Sequence, residues 1–259
     1  MTKKLPSIIS KLSPALALLV VVAMWAAATG FRWVPTFMLP SPAAVGKAFV
    51  GDFPILMRHA SVTLTEAFLG LLLGVLLAFL LAMLMDRFPL LYKALYPLLV
   101  ITQTIPTIAI APLLVLWMGF GMAPKITLVV ITTFFPIAVS LLDGYRCADA
   151  DAINLLRSMG AGRVKIFRYI KFPSALGSFF AGLKVSASYA VVGAVVAEWL
   201  GGFEGLGVYM TRVQKAYAFD KMFSVIIFIT LISLLLMWGV TGVKALVMPW
   251  ERRETEKKK

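Results

Sequence analysis

Few residues in this chain could do covalent chemistry. Its 259 residues include one histidine, His59, and one cysteine, Cys147. A lone imidazole leaves a histidine metal or catalytic cluster without members. A lone thiol excludes an internal disulfide and a cysteine metal site. An intramembrane enzyme needs a nucleophile–base pair or a metal cluster, and His59 has no obvious partner in its stretch of sequence. No G-x-x-x-x-G-K phosphate loop is present. The run Gly201-Gly202-Phe203-Glu204-Gly205-Leu206-Gly207 is glycine-rich but lacks that spacing, and its glycines suit tight turns. We therefore expect no catalytic residue, no metal site and no cofactor bound by this chain.

What remains is hydrogen bonding and ion pairing within apolar surroundings. The segment Thr102-Gln103-Thr104-Ile105-Pro106-Thr107, followed by Pro112, interrupts an otherwise apolar run. Prolines inside a span free backbone carbonyls that something must satisfy. Gln103, Thr104 and Thr107 could do that, or could hydrogen-bond a polar solute in passage. Glu66 and Glu198 are acids near span ends, and Lys184 can snorkel to an interface. An acid inside a membrane is a functional candidate by default, although the span-end position of Glu198 also suits a solvated or paired carboxylate. Gly182, Ser186, Ala190 and Ala194 recur every four residues, which lets helices approach closely.

The elements that carry these residues follow from composition. The chain is 61% hydrophobic with a mean hydropathy of +0.92, more apolar than one soluble core can use. This predicts an all-α polytopic membrane protein forming a single transmembrane domain. Six spans are expected at about 14–30, 63–85, 95–118, 126–142, 179–200 and 223–247. A loop is expected from Phe31 to Ser61 and a charged tail over 250–259. A signal peptide cleaved near Ala26-Ala27-Ala28 is the alternative to the first span. A retained span is preferred, because no hydrophilic domain follows it.

The net charge of +13 and pI near 10.0 do not indicate nucleic acid, because the apolar runs are too many. With both termini cytoplasmic, 16 Lys and Arg fall on the inner side and 7 on the outer. That asymmetry is the positive-inside pattern of a multi-pass membrane protein in this orientation.

The longest non-apolar stretch, from Asp149 to Pro173, belongs to a cytoplasmic loop over 143–175 in this topology. Ala152, Leu155, Leu156 and Met159 fall on one helical face. Asp149 or Asp151 can cap that helix, and Gly160 suits a left-handed end. Arg163, Lys165, Arg168 and Lys171 follow, and Pro173 closes the segment. Such a helix could simply lie on the lipid surface.

Gly160, nine residues, and then Ile170-Lys171-Phe172-Pro173 resemble the "EAA" loop of binding-protein-dependent ABC importer permeases. The Glu-Ala-Ala part is replaced by Asn154-Leu155-Leu156. Leu39-Pro40-Ser41-Pro42 with Val45, and Ala197-Glu198 with Gly205-Leu206-Gly207, resemble the sulfonate, nitrate and taurine branch of that family. That branch includes relatives for thiamine-precursor pyrimidines and for riboflavin, and the Thr102–Thr107 segment leans toward the pyrimidine relatives.

The resemblance implies a non-catalytic permease subunit of an ATP-driven importer moving a small polar solute. Its partners would be ABC ATPase subunits, an extracytoplasmic substrate-binding protein, and a second permease chain, expected to be identical, in the lipid bilayer. ATP would bind the ATPase. The implied ATPase-coupling residues are Ala152, Asn154, Leu155, Leu156, Ser158, Met159, Gly160, Ala161 and Arg163. The implied pathway residues are Gln103, Thr104, Thr107, Ser186 and Glu198. The alternative is a secondary transporter, which would show internal repeats; no clear repeat is visible.

Overall fold

The computed structural model describes residues 5–250, with side chains from Ser13 onward. Lys3, Lys4 and the charged tail after Trp250 lie outside the described residues. No β-strand occurs among the described residues. The helices are α1 (Leu5–Gly30), α2 (Pro42–Gly51), α3 (Phe53–Arg87), α4 (Pro89–Thr102), α5 (Thr107–Met118) and α6 (Met122–Arg146). They continue as α7 (Ala150–Ser158), α8 (Arg163–Ile166), a π-helical turn at Phe167–Lys171, α9 (Phe172–Gly201), α10 (Leu206–Lys215) and α11 (Phe219–Val247).

Among the described residues, five helices are long and apolar enough to cross a membrane. The pair α4 and α5, bent by 99° at a short break, makes a sixth if it is one broken span. The expected third span, 95–118, is therefore two half-helices. Pro106 lacks the N–H a continuing helix needs and disfavours helical backbone at Ile105. Pro97 and Pro112, by contrast, lie inside α4 and α5.

The expected loop from Phe31 to Ser61 is largely helical. Ser41 accepts a hydrogen bond from the Ala44 N–H at 3.2 Å, and Pro42 occupies the first helical position. These two features start α2. Helix α3 then begins at Phe53 and runs 35 residues, about 52 Å at 1.5 Å per residue. It is longer than a hydrocarbon core is thick, so the apolar stretch 63–85 is only part of it.

The chain divides into two compact units. One comprises residues through Arg58 with Tyr209–Phe228. Within it, the Trp25 indole N–H donates to the Pro40 carbonyl at 3.0 Å, and Trp25 and Phe223 lie 5.9 Å apart. Asp52 accepts from the Tyr209 hydroxyl at 2.5 Å and pairs with Lys221 at 3.0 Å.

The other unit comprises His59–Val208 with residues from Ile229 onward. Its core joins Ala78, Ala82 and Met85 of α3 to Ile137, Leu141 and Tyr145 of α6 and Ala175, Phe179 and Phe180 of α9. Helices α6 and α9 meet through small residues. A Cβ on Gly182 would lie 2.5 Å from the Ser140 hydroxyl, and one on Gly144 would lie 2.6 Å from the Ala175 Cα. The stripe of Gly182, Ser186, Ala190 and Ala194 is buried in this unit. Close approach brings dispersion contacts where lipid supplies no hydrophobic drive between helices.

Many large apolar side chains remain outside these cores. Leu72, Leu73, Leu76, Leu77 and Leu80 of α3 are each at least 45% exposed. Such a surface suits hydrocarbon and would be costly in water.

Candidate functional site

Asp149 starts α7 by accepting the Asp151 N–H at 2.9 Å. Gly160, at φ +78°, ends the segment in the left-handed region that glycine adopts without strain. The Gly160 N–H donates to the Arg157 carbonyl and the Ala161 N–H to the Leu156 carbonyl, so the last turn is closed. No residue of α7 is buried. Asn154, Leu155, Ser158, Met159, Gly160 and Arg163 are exposed, whereas Ala152, Leu156 and Ala161 are half-buried. The Ser158 hydroxyl is occupied by the Leu155 carbonyl.

Four apolar side chains stand out on this polar segment. Leu155 is 62% exposed, Met159 72%, Val164 80% and Tyr169 67%. Val164 and Tyr169 extend the surface beyond the residues expected from the helical face alone. They interrupt the basic run, and that interruption was the signal for them in the sequence.

The loop is anchored behind this surface. Ile166 is buried, and the rings of Phe167 and Tyr145 lie 5.3 Å apart. Lys171 pairs with Asp86 at the end of α3 at 2.6 Å. Phe167 contacts Phe172, which contacts Phe79 of α3, which contacts Phe179 of α9. The loop is thus in side-chain contact with α3, α6 and α9.

A second arrangement forms at the break between α4 and α5. A cleft of about 270 Å³ is lined there by Thr102, Gln103 and Thr107, facing Thr132 of α6 and Tyr189 of α9. The structure divides the work of the polar residues. Thr102 donates to the Leu99 carbonyl at 2.7 Å, and Thr104 donates to the Ile101 carbonyl at 2.8 Å. These two hydroxyls satisfy the end of α4. The Gln103 amide, the Thr107 hydroxyl and the Tyr189 hydroxyl make no hydrogen bond among the described residues, and all three residues are exposed. Irregular backbone and free polar groups within a span are tolerated only against protein or water. This face is therefore not a lipid face. Thr132 and Tyr189 were missed in the sequence because only the packing of α6 and α9 brings them to the break.

Ser186 and Glu198 are elsewhere. The Ser186 hydroxyl donates to the Thr133 carbonyl at 2.8 Å, deep between α6 and α9. Glu198 is 1% exposed and belongs to a buried polar cluster. Its Oε1 accepts from the Thr63 hydroxyl and its Oε2 from the Gly207 N–H, each at 2.6 Å. The Leu206 N–H donates to the Thr63 oxygen at 2.9 Å, and the Gly205 N–H donates to His59 Nδ1 at 3.1 Å.

Three side chains thus hold successive backbone N–H groups of the 205–207 turn. Neither His59 nor Glu198 is a solvated loop residue. Nearby, Lys125 pairs with Glu66 Oε1 at 2.6 Å, both buried, while Glu66 Oε2 has no hydrogen-bond partner among the described residues. No group of three or more metal-ligating side chains occurs among the described residues.

Comparison with known proteins gives these features a context. Residues 70–250 match the family described as binding-protein-dependent transport system inner membrane component. A probable ABC transporter permease protein of Haemophilus influenzae is 36% identical over 229 residues, covering 88% of this chain and 94% of that protein. The formylaminopyrimidine transport permease protein of Halalkalibacterium halodurans is 33% identical, covering 94% of this chain and 97% of that protein. Among solved structures, the methionine ABC transporter in inward-facing conformations matches with a TM-score of 0.67 at 18% identity, covering 76% of this chain and 98% of that one. At that identity the match speaks to the fold alone. The chain belongs to the binding-protein-dependent transport system inner membrane components, as a non-catalytic, multi-pass permease subunit of an ABC importer.

Proposed function

We propose that the segment from Ala152 to Arg163, around Gly160, is where this permease receives motion from its ATPase. The observation that carries this is the exposed apolar set Leu155, Met159, Val164 and Tyr169 on a loop fastened to three spans. Exposed apolar side chains on a polar, capped helix suit a groove on a partner. A helix lying on lipid would not need the Lys171–Asp86 and Phe167–Tyr145 anchors. The ATPase pair closes on ATP, and the loop passes that displacement to α3, α6 and α9. An extracytoplasmic binding protein delivers the solute. A second, identical permease chain covers the face that carries the broken span, which cannot face lipid.

The loop and both termini lie in the cytoplasm, in line with the 16 to 7 distribution of basic residues. The solute is small and polar, either an anion of the sulfonate, taurine or nitrate type or a thiamine-precursor pyrimidine.

The test is purification of the chain from native membranes in mild detergent, with and without the double substitution Leu155→Asp/Met159→Asp. The expected result is a co-purifying ATPase that the substitution removes while the chain still inserts. Co-purification undiminished by the substitution would place the contact elsewhere.

A further inference from the structure

We propose that the cleft at the α4–α5 break is a transit site for an uncharged, hydrogen-bonding solute and that it does not serve inorganic or organic anions. This rests on the importer reading and narrows its solute to one chemical class. None of the ten residues lining the cleft is charged. An anion leaving water for a protein cleft needs a cation or many donors to offset lost hydration, a deficit of several kcal/mol when they are missing.

Lys125, a buried basic side chain of this unit, is already neutralised by Glu66.

What the cleft does offer is mixed. The Gln103 amide can donate and accept, and the Thr107 and Tyr189 hydroxyls can each do either. The two half-helices also meet here: the first turn of α5 has no side-chain cap, while α4 ends at the same break with carbonyls that accept from the Thr102 and Thr104 hydroxyls and the Gln103 and Thr104 N–H groups. The positive end of one helix dipole and the negative end of the other therefore meet, and their partial charges oppose. A single half-helix N-terminus would favour an anionic group; this paired arrangement suits a neutral solute that both donates and accepts. The Tyr189 ring adds an apolar face.

The test compares uptake of radiolabelled formylaminopyrimidine and of ethanesulfonate in cells lacking the chain and in cells complemented with it. The complementing chains are the wild type, Gln103→Ala and Thr107→Val. The expected result is chain-dependent uptake of the pyrimidine, reduced roughly tenfold by each substitution, the scale of one lost hydrogen bond. No chain-dependent uptake of ethanesulfonate is expected. The amount of each variant in the membrane, and the ATPase that co-purifies with it, separates a lost solute contact from lost folding or assembly.

Chain-dependent ethanesulfonate uptake would overturn the proposal. So would pyrimidine uptake that neither substitution lowers, or the absence of chain-dependent pyrimidine uptake. A failed importer reading would show itself differently, as a chain that purifies without any ATPase.

Discussion

Lys125 and Glu66 are 5% and 0% exposed and share a 2.6 Å ion pair. Removing one member leaves the other charge buried without compensation, which costs about 3–5 kcal/mol, whereas removing both is often near neutral. Lys125→Met should therefore lower the unfolding temperature of the detergent-purified protein sharply. Lys125→Met/Glu66→Gln should recover most of the loss; a double variant as unstable as the single one would show that the pair is not the coupled unit. His59 teaches a related lesson. Its sequence neighbourhood shows no partner, because the partner is the backbone N–H of Gly205, 146 residues away. Likewise the carboxylate of Glu198 was legible as an intramembrane acid, but its role in holding the 205–207 turn was not. Backbone donors leave no mark in a sequence.

At the scale of elements, the features legible beforehand were those governed by local chemistry. Asp149 caps α7, Gly160 ends it in a left-handed turn, and the prolines mark the irregular third span. The division of the Thr102–Thr107 residues into caps and free groups was not legible. It depends on where α4 ends, which is set by three-dimensional packing as much as by Pro106.

Helices α2, α10 and α11 meet in one unit through Asp52. Burial alone would raise its carboxyl, but hydrogen bonds from Tyr209 and Lys221 and the Lys221 charge more than offset this and hold it below its ordinary 3.8. Burial, reinforced by Asp52, pushes the Tyr209 hydroxyl well above its ordinary 10.0. A carboxyl with a depressed folded value contributes stability that is full above its unfolded value and is lost as pH falls through the folded one. The stability advantage of wild type over Asp52→Asn should thus be constant between pH 7 and 5 and shrink on acidification below about pH 4. Thermal unfolding at pH 7, 5 and 3 checks this; an advantage that grows on acidification would refute the clamp.

For the whole molecule, composition and charge asymmetry carried the class and the expected orientation. The family was legible through the Gly160-to-Pro173 spacing, together with the Leu39-Pro40-Ser41-Pro42 and Gly205-Leu206-Gly207 motifs. In the proposed mechanism, solute movement is driven from outside this chain, through the loop that Gly160 terminates. A Cβ at Gly160 would meet nothing of this chain within 4 Å, so within the chain a substitution there acts through the +78° backbone angle. Asparagine tolerates that angle and a β-branched valine does not.

The direct measurement is uptake into proteoliposomes containing the permease and its ATPase, with binding protein and labelled solute outside and ATP inside. Uptake is expected to require both ATP and the ATPase subunit. Uptake should be retained by Gly160→Asn and lost in Gly160→Val, while ATP hydrolysis persists in the valine variant. Uptake by the permease alone, driven by an ion gradient and indifferent to ATP and to Gly160→Val, would contradict that mechanism.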